Sequence, residues 1–392
     1  MRTIGIVTTA RSDYGLYVPL LRLIQQDPDL DLRLYVTGMH LSPEFGNTFE
    51  AILKEGFQIH ERVEMLLSSD TPAGIAKSMG LGTIGFAESF SRFQPDLLVV
   101  LGDRFEMHAG AMAALPFRIP LAHIHGGEST ESAIDDLMRH SITKMSHLHF
   151  ASTELYALRI VQMGEEPWRV LVSGAPGLDN LLSLDLLTRD EFAREYGFHI
   201  DESTLLVTFH PVTLEYEHTE SYVMSLLHAL EEIGRPVIFT YPNADTGGRK
   251  VIRMINAFRS RCAAWQVAVN LGTKGYLNLM RHVAAMVGNS SSGIFEAASF
   301  KLPVVNIGAR QRGRLRPKNV IDVGYSREDI VCGVHLALSS EFRTQLSDLV
   351  NPFGDGRASE RIVERLKTVR LGSDLLVKKF HDVQWGKSDN PA

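Results

Sequence analysis

Asp96-Leu97-Leu98-Val99-Val100-Leu101-Gly102-Asp103-Arg104-Phe105-Glu106 is the stretch that decides the fold. The apolar run from Leu97 to Leu101, with no polar residue in alternation, reads as a strand covered on both faces, as in a parallel sheet. A polar Gly-Asp-Arg turn follows it. Residues 105–115 then take helical spacing, so strand, turn and helix succeed one another as in a βαβ unit.

The same reading extends outward in both directions. Residues 4–9, 32–37 and 120–124 are strands of this kind, and residues 14–26, 75–93 and 134–145 have helical spacing. The rhythm restarts further along. Residues 204–209, 236–240, 267–269, 284–287 and 303–305 read as strands, with helices at 220–232, 247–259, 274–282 and 293–300. Gly174-Ala175-Pro176-Gly177 between the two series has the composition of a domain boundary. The expectation is an α/β chain of two Rossmann-like domains, 1–175 and 176–356, with residues 357–392 returning as a helix onto the first. Ligands of open α/β sheets bind outside the carboxyl ends of the strands, so two such domains face each other across a cleft lined by strand tips.

Composition bounds the function. At 392 residues, two domains are the natural expectation. A net charge of −6 argues against wholesale binding of nucleic acid or an anionic membrane. The two cysteines, Cys262 and Cys332, make no disulfide framework and suit a reducing compartment. The first apolar run is too short, and too soon followed by Arg11 and Asp13, for a signal peptide. No stretch has the length of a membrane span. The expected location is the cytoplasm.

The polar motifs fall just after strands. Thr8-Thr9-Ala10-Arg11-Ser12-Asp13 puts Arg11 at a strand-to-helix turn, where amide groups and the helix dipole favour an anion; Ser12 or Asp13 as a helix cap is the plainer reading. GxGxxG is missing from this turn, which argues against a dinucleotide there. Asp103 and Arg104 are either a structural pair or a carboxylate and a guanidinium offered to substrate and phosphate. His123-Ile124-His125-Gly126-Gly127-Glu128, with Asp135, Asp136, Arg139 and His140 beyond it, is the densest ionisable cluster and the place for acid–base chemistry. Two alternatives stand beside this: Glu128 as a cap with one histidine in the core, or His123 and His125 sharing a strand face as metal ligands.

In the second half, His210 follows the first strand. Asn243 and Asp245, in Tyr241-Pro242-Asn243-Ala244-Asp245, suit sugar or ribose hydroxyls. Gly288-Asn289-Ser290-Ser291-Ser292-Gly293 opens a helix with more hydroxyls than a cap needs, which suits a diphosphate. Glu296 on that helix can accept from ribose hydroxyls. Asn306-Ile307-Gly308-Ala309-Arg310-Gln311-Arg312-Gly313-Arg314 is a basic loop in which Arg310 reaches the ligand and the other arginines are solvated.

Taken together, ARSDYG, GDRFE, HIHGGE, GAPGLD, FHP, PNADTGGR, GNSSSGIFE and NIGARQRGR, in that order from Arg11 to Arg314, resemble the hydrolysing UDP-N-acetylglucosamine 2-epimerases of sialic-acid and legionaminic-acid biosynthesis. The resemblance implies a glycosyltransferase-B type fold and a UDP-sugar substrate, either the N-acetylglucosamine form or a 4-acetamido-6-deoxy analogue. It implies anti elimination of UDP to a 2-acetamidoglucal, hydration to the N-acetylmannosamine-type sugar, no cofactor, no metal, and a homodimer or homotetramer. By motif position, Asp103 and Asp135 fall on catalytic carboxylates. His125 stands where many members carry a glutamate, and that role passes to His125 or to Glu128. Arg11, Arg104, His210, Asn243, Ser290, Ser291, Glu296 and Arg310 fall on substrate and UDP contacts. A glycosyltransferase of the same fold, a non-hydrolysing epimerase, a non-catalytic sugar-nucleotide binder and a metal-dependent hydrolase are the competing readings.

Overall fold

A computed structural model of the chain describes residues 1–69, 71–130, 134–182, 184–241, 248–269 and 271–383. It divides into two compact units, residues 1–180 with the chain from 353 onward, and residues 181–352. The divisions fall at Asn180 and Pro352 rather than at 175 and 356.

Among the described residues, unit 1 is built on β1 (Arg2–Thr8), β2 (Leu30–Thr37), β3 (Ile59–Val63), β4 (Leu97–Leu101), β5 (Leu121–Ile124), β6 (Leu148–Ala151) and β7 (Val170–Val172). They form one parallel sheet in the order β3-β2-β1-β4-β5-β6-β7. Every residue of β4 is buried, as its unbroken apolar run requires. The helix Pro72–Arg92, started by Thr71 whose hydroxyl accepts from Gly74 N at 3.1 Å, carries the chain across from β3 to β4. Strand order therefore reverses between β1 and β4, and a crevice opens at their carboxyl ends.

Unit 2 repeats the plan with β8 (Leu205–Thr208), β9 (Val237–Thr240), β10 (Trp265–Ala268), β11 (Ala285–Gly288), β12 (Val304–Ile307) and β13 (Val320–Val323). All pairings are parallel, in the order β10-β9-β8-β11-β12-β13, which puts the reversal between β8 and β11. Four strands escape the apolar-run criterion. β3 reads Ile59-His60-Glu61-Arg62-Val63 and buries only Val63, being an edge strand. β13, also an edge, carries Asp322. β6 contains His149 and β7 has three residues, too few for a pattern. The helix expected at 293–300 is a short helix, Ser292–Phe295, followed by a tighter turn, Ala297–Phe300.

The chain returns to unit 1 through the helix Ala358–Thr368, which packs beside the helix Arg11–Gln26 and adds Ile362, Val363 and Leu366 to the unit 1 core. Asp179, from the GAPGLD motif, holds its start: the buried carboxylate accepts from Ala358 N at 2.9 Å and Ser359 N at 2.5 Å. The single helix expected over 357–392 is interrupted. A second, short helix, Ser373–Leu376, ends where the buried Arg169 guanidinium donates to the carbonyls of Asp374, Leu375 and Val377. Residues 384–392 lie outside the described residues.

Candidate active site

The turn after β1 is closed on itself. Thr9 N and Ala10 N each donate to the Asp13 carboxylate at 2.7 Å, and Thr8 Oγ1 donates at 3.0 Å. The anion met by these amides is thus the protein's own. Burial raises the Asp13 pKa to about 6, against the pull of those hydrogen bonds and of Arg104. Arg11, at the first position of the following helix, is exposed. His40, just after β2, is fully buried. Its Nε2 lies 3.0 Å from Thr8 Oγ1 and its Nδ1 2.7 Å from Thr48 Oγ1, and burial holds its pKa down at about 4. It braces the ends of β1 and β2.

After β4, Asp103 pairs with Arg139, while Arg104 forks onto the buried Glu106, Nη2 to Oε1 at 2.8 Å and Nε to Oε2 at 3.2 Å. The two halves of the Asp–Arg motif therefore take different partners. After β5, the histidines part company. His123, still in the strand, is fully buried, with Nε2 2.8 Å from Gly102 O and Nδ1 3.1 Å from Thr143 Oγ1; burial holds its pKa at about 3. His125 lies past the strand end with a left-handed backbone, φ +65°, an uncommon setting for a residue with a side chain. Its Nδ1 is 2.6 Å from Glu128 Oε1, and Ser152 Oγ donates to the same oxygen at 3.0 Å. The expected shared strand face of His123 and His125 is lost at this turn. Among the described residues no three His, Cys, Asp or Glu side chains are grouped to hold a metal ion. Gly127, between His125 and Glu128, is required: its φ is +76°, and a Cβ there would lie 2.2 Å from Tyr156 O.

The helix Ile134–Met145 brings the second set of charges. Arg139, only 2% exposed, donates to Asp103, to Asp136 Oδ1 at 2.9 Å, to Thr130 Oγ1 at 3.0 Å and to the Glu128 carbonyl at 3.0 Å. A buried guanidinium needs such compensation on every side. Asp136 is occupied in this way, and also accepts from Thr130 N at 2.8 Å. Asp135 is placed differently. Its side chain meets solvent, yet the protein packed around it, and then the negative charge of Asp103, raise its pKa above the ordinary carboxylate value. It is an exposed residue rather than a member of the core.

In unit 2, the fully buried Asn289 ties the two strand ends at the reversal point. Its Oδ1 accepts from His210 N at 2.7 Å and its Nδ2 donates to His210 O at 2.8 Å, which extends the ladder between β8 and β11 by one side-chain rung. Gly288, φ +137°, permits this approach, since a Cβ there would lie 1.9 Å from Thr208 O. His210 is buried, and burial followed by the charge of Arg310 holds its pKa at about 3. The Asn289 carbonyl accepts from Arg310 Nη1 at 3.0 Å and Gln311 Nε2 at 2.9 Å. His210, the Ser290–Ser292 turn and Arg310 are thereby gathered around one buried asparagine. Ser290 Oγ accepts from Ser292 N at 3.3 Å. On the next turn Glu296 has a buried Oε2 with no hydrogen-bond partner among the described residues, and burial raises its pKa to about 7. Arg314 is half-buried rather than solvated: it lies 5.4 Å over the Phe295 ring, and its charge acts on Glu296. Arg312 is exposed. Asn243 and Asp245 lie outside the described residues.

Residues 22–367 match the protein-family model described as UDP-N-acetylglucosamine 2-epimerase. The chain belongs to this family. This epimerase-family chain is 38% identical over 378 residues to the UDP-N,N'-diacetylbacillosamine 2-epimerase (hydrolyzing) of Legionella pneumophila, spanning 96% of this chain and 99% of its relative. It is 39% identical over 385 residues to the GDP/UDP-N,N'-diacetylbacillosamine 2-epimerase (hydrolyzing) of Campylobacter jejuni, spanning 97% and 99%. The crystal structure of UDP-GlcNAc 2-epimerase from Neisseria meningitidis bound to UDP-GlcNAc superimposes with a TM-score of 0.80 at 19% identity, covering 93% of this chain and 99% of that one. The expected α/β class, two Rossmann-like units of the glycosyltransferase-B type, holds for this epimerase. Among the described residues no helix is long and apolar enough to cross a membrane.

Several residues at these strand ends are silent in a motif reading. Glu106 stands in GDRFE but takes its meaning from Arg104, two residues earlier in the same motif. Asn289 looks like one more small polar residue before the serines. Arg139 was visible as a member of the ionisable cluster, and its place three residues after Asp136 on one helix is the spacing at which side chains meet.

Proposed function

We propose that the chain hydrolyses a UDP-linked 2-acetamido sugar and inverts it at C2, with unit 2 holding the nucleotide and unit 1 supplying the proton chemistry. C2–H of such a sugar is not acidic until the C1–O bond begins to break, so the diphosphate must be stabilised as it leaves. Arg310 and the Ser290–Ser292 helix start supply that stabilisation, and Glu296 accepts from the ribose hydroxyls. Arg11, Arg104 and Asn243 complete the contacts to phosphate and sugar, and His210 meets the diphosphate as a neutral imidazole.

The observation that carries the chemistry is the contrast between two neighbouring aspartates. Asp103 pairs with a buried guanidinium, whereas Asp135 is pushed towards the protonated form, first by burial and then by the charge of Asp103. Two carboxyls in such unlike settings suit the roles of base and acid. Asp103 removes the C2 proton while the C1–O electron pair leaves with UDP, giving the glycal. Asp135 then protonates C2 from the opposite face as water adds at C1. The His125–Glu128 pair takes the proton from that water, Glu128 fixing which imidazole nitrogen is presented. Of the candidate substrates, the UDP-N,N'-diacetylbacillosamine named for the Legionella relative is favoured over UDP-N-acetylglucosamine.

The test is turnover of both nucleotide sugars in deuterated water. Free mannosamine-type sugar with deuterium at C2 is expected. A nucleotide-bound C2 epimer would make the chain a non-hydrolysing epimerase, and hydrolysis with protium retained at C2 would remove the elimination step.

A further inference from the structure

The loop after β12 carries Arg310, and an aromatic pair outside the motifs bears on it. Tyr222, on the helix Thr219–Ile233, stacks on Tyr325 with ring centroids 3.6 Å apart and planes within 4°. Tyr325 follows β13. Its Oη accepts from Ala309 N at 3.1 Å. Its ring fills the space beside Gly308, where a Cβ would lie 2.0 Å from Tyr325 Cζ. The residue next to Arg310 is thus held by a hydrogen bond and the one before it by a ring face. On the far side, Arg310 reaches the Asn289 carbonyl, and Asn289 holds His210 through both of its backbone polar groups. Burial raises both tyrosine hydroxyls, and the carboxylate of Glu215 adds to this, so both remain protonated donors. Glu215 belongs to the short turn Thr213–His218 just after His210 and Pro211. The two tyrosines therefore sit between the loop after β8 and the loop after β12.

We propose that Tyr325, braced by Tyr222, is a positioning residue that fixes the Gly308-Ala309-Arg310 turn so that the guanidinium is preset for the leaving diphosphate. The proposal rests on the reading of unit 2 as the nucleotide unit. Preorganisation of this kind acts on affinity by removing an ordering cost rather than by adding a contact. A preset arginine also acts on the departing charge, so loss of Tyr325 affects kcat as well as UDP affinity.

The experiment is a double-mutant cycle on the full chain, with UDP affinity read by calorimetry and kcat by UDP release. Tyr325→Phe keeps the stack and removes the hydroxyl, and is expected to weaken UDP about fivefold, the loss of one hydrogen bond. In an Arg310→Ala background the same change is expected to have almost no effect, because its influence passes through Arg310. Tyr222→Phe, which keeps the stack, is expected to match the wild type in UDP affinity to within about twofold. Equal effects of Tyr325→Phe with and without Arg310 would overturn the positioning role, as would an unchanged UDP affinity in the single variant. Failure of the wild-type chain to bind UDP would instead sink the nucleotide reading, and this inference with it.

Discussion

Glu296→Gln separates stability from binding in a way that pH exposes. The folded pKa of about 7 stands against an ordinary value of 4.5. Below about pH 4.5 the carboxyl is protonated in both the folded and unfolded chains and contributes nothing. Between the two values the folded state holds the extra proton, so stability falls as pH rises; above pH 7 the full cost of the buried charge is present. The difference between about 7 and 4.5, at about 1.4 kcal/mol per pH unit, is roughly 3–4 kcal/mol. Glutamine removes the charge and keeps the shape. The variant is therefore expected to be more stable than the wild type by under about 1 kcal/mol at pH 5 and by roughly 3–4 kcal/mol at pH 8. UDP affinity is expected to move the other way, weakening about tenfold through loss of charge-assisted hydrogen bonds. Trp265, packed against Phe239 and Phe258 in the unit 2 core, reports the unfolding of that unit once Trp168 and Trp385 are replaced by phenylalanine. Urea titrations at the two pH values give the free energies. An equal effect at both would refute the account of Glu296 as a carboxyl whose charged form is disfavoured by burial.

Two glycines and an aspartate give further tests. Gly288→Ala places a Cβ 1.9 Å from Thr208 O and is expected to prevent unit 2 from folding, whereas Gly46→Ala, with nothing within 4 Å, should cost only the left-handed backbone, about 1–2 kcal/mol by thermal unfolding. Asp179→Ala leaves two buried amides of the helix Ala358–Thr368 unpaired and is expected to cost about 1–3 kcal/mol, seen as faster cleavage between residues 353 and 358 in limited proteolysis.

The strands that were legible are those whose sequence alone must be buried, such as Leu97–Leu101 and Leu205–Thr208. Those that were not, such as Ile59–Val63 and Val320–Val323, lie at sheet edges, where half-exposure admits charge and the apolar run disappears. The site followed a similar division. That polar motifs would gather at strand ends was readable, because the ends of β1, β4, β8 and β11 are where each sheet reverses. Which group meets which was not readable. Asp13 could serve as a cap, but nothing in the chain order says that it would occupy both amides expected to meet a phosphate. His123 and His125 share a face only while the strand continues, and the backbone of His125 turns away one residue after Ile124. Arg139 draws on Asp103, Glu128 and Thr130, contacts separated by up to 36 residues, and such convergence belongs to topology rather than to local pattern.

Because Ile362, Val363, Leu366 and Leu375 belong to the same core as β1 and β4, order of synthesis matters. When residues 1–180 have emerged from the ribosome, their sheet lacks one helical wall and exposes apolar surface where that wall belongs. Unit 2 is made entirely during this interval and, being one continuous segment, can close without waiting. The first unit to be translated is therefore the last to be finished, and nascent chains stalled before residue 358 should bind chaperones through unit 1.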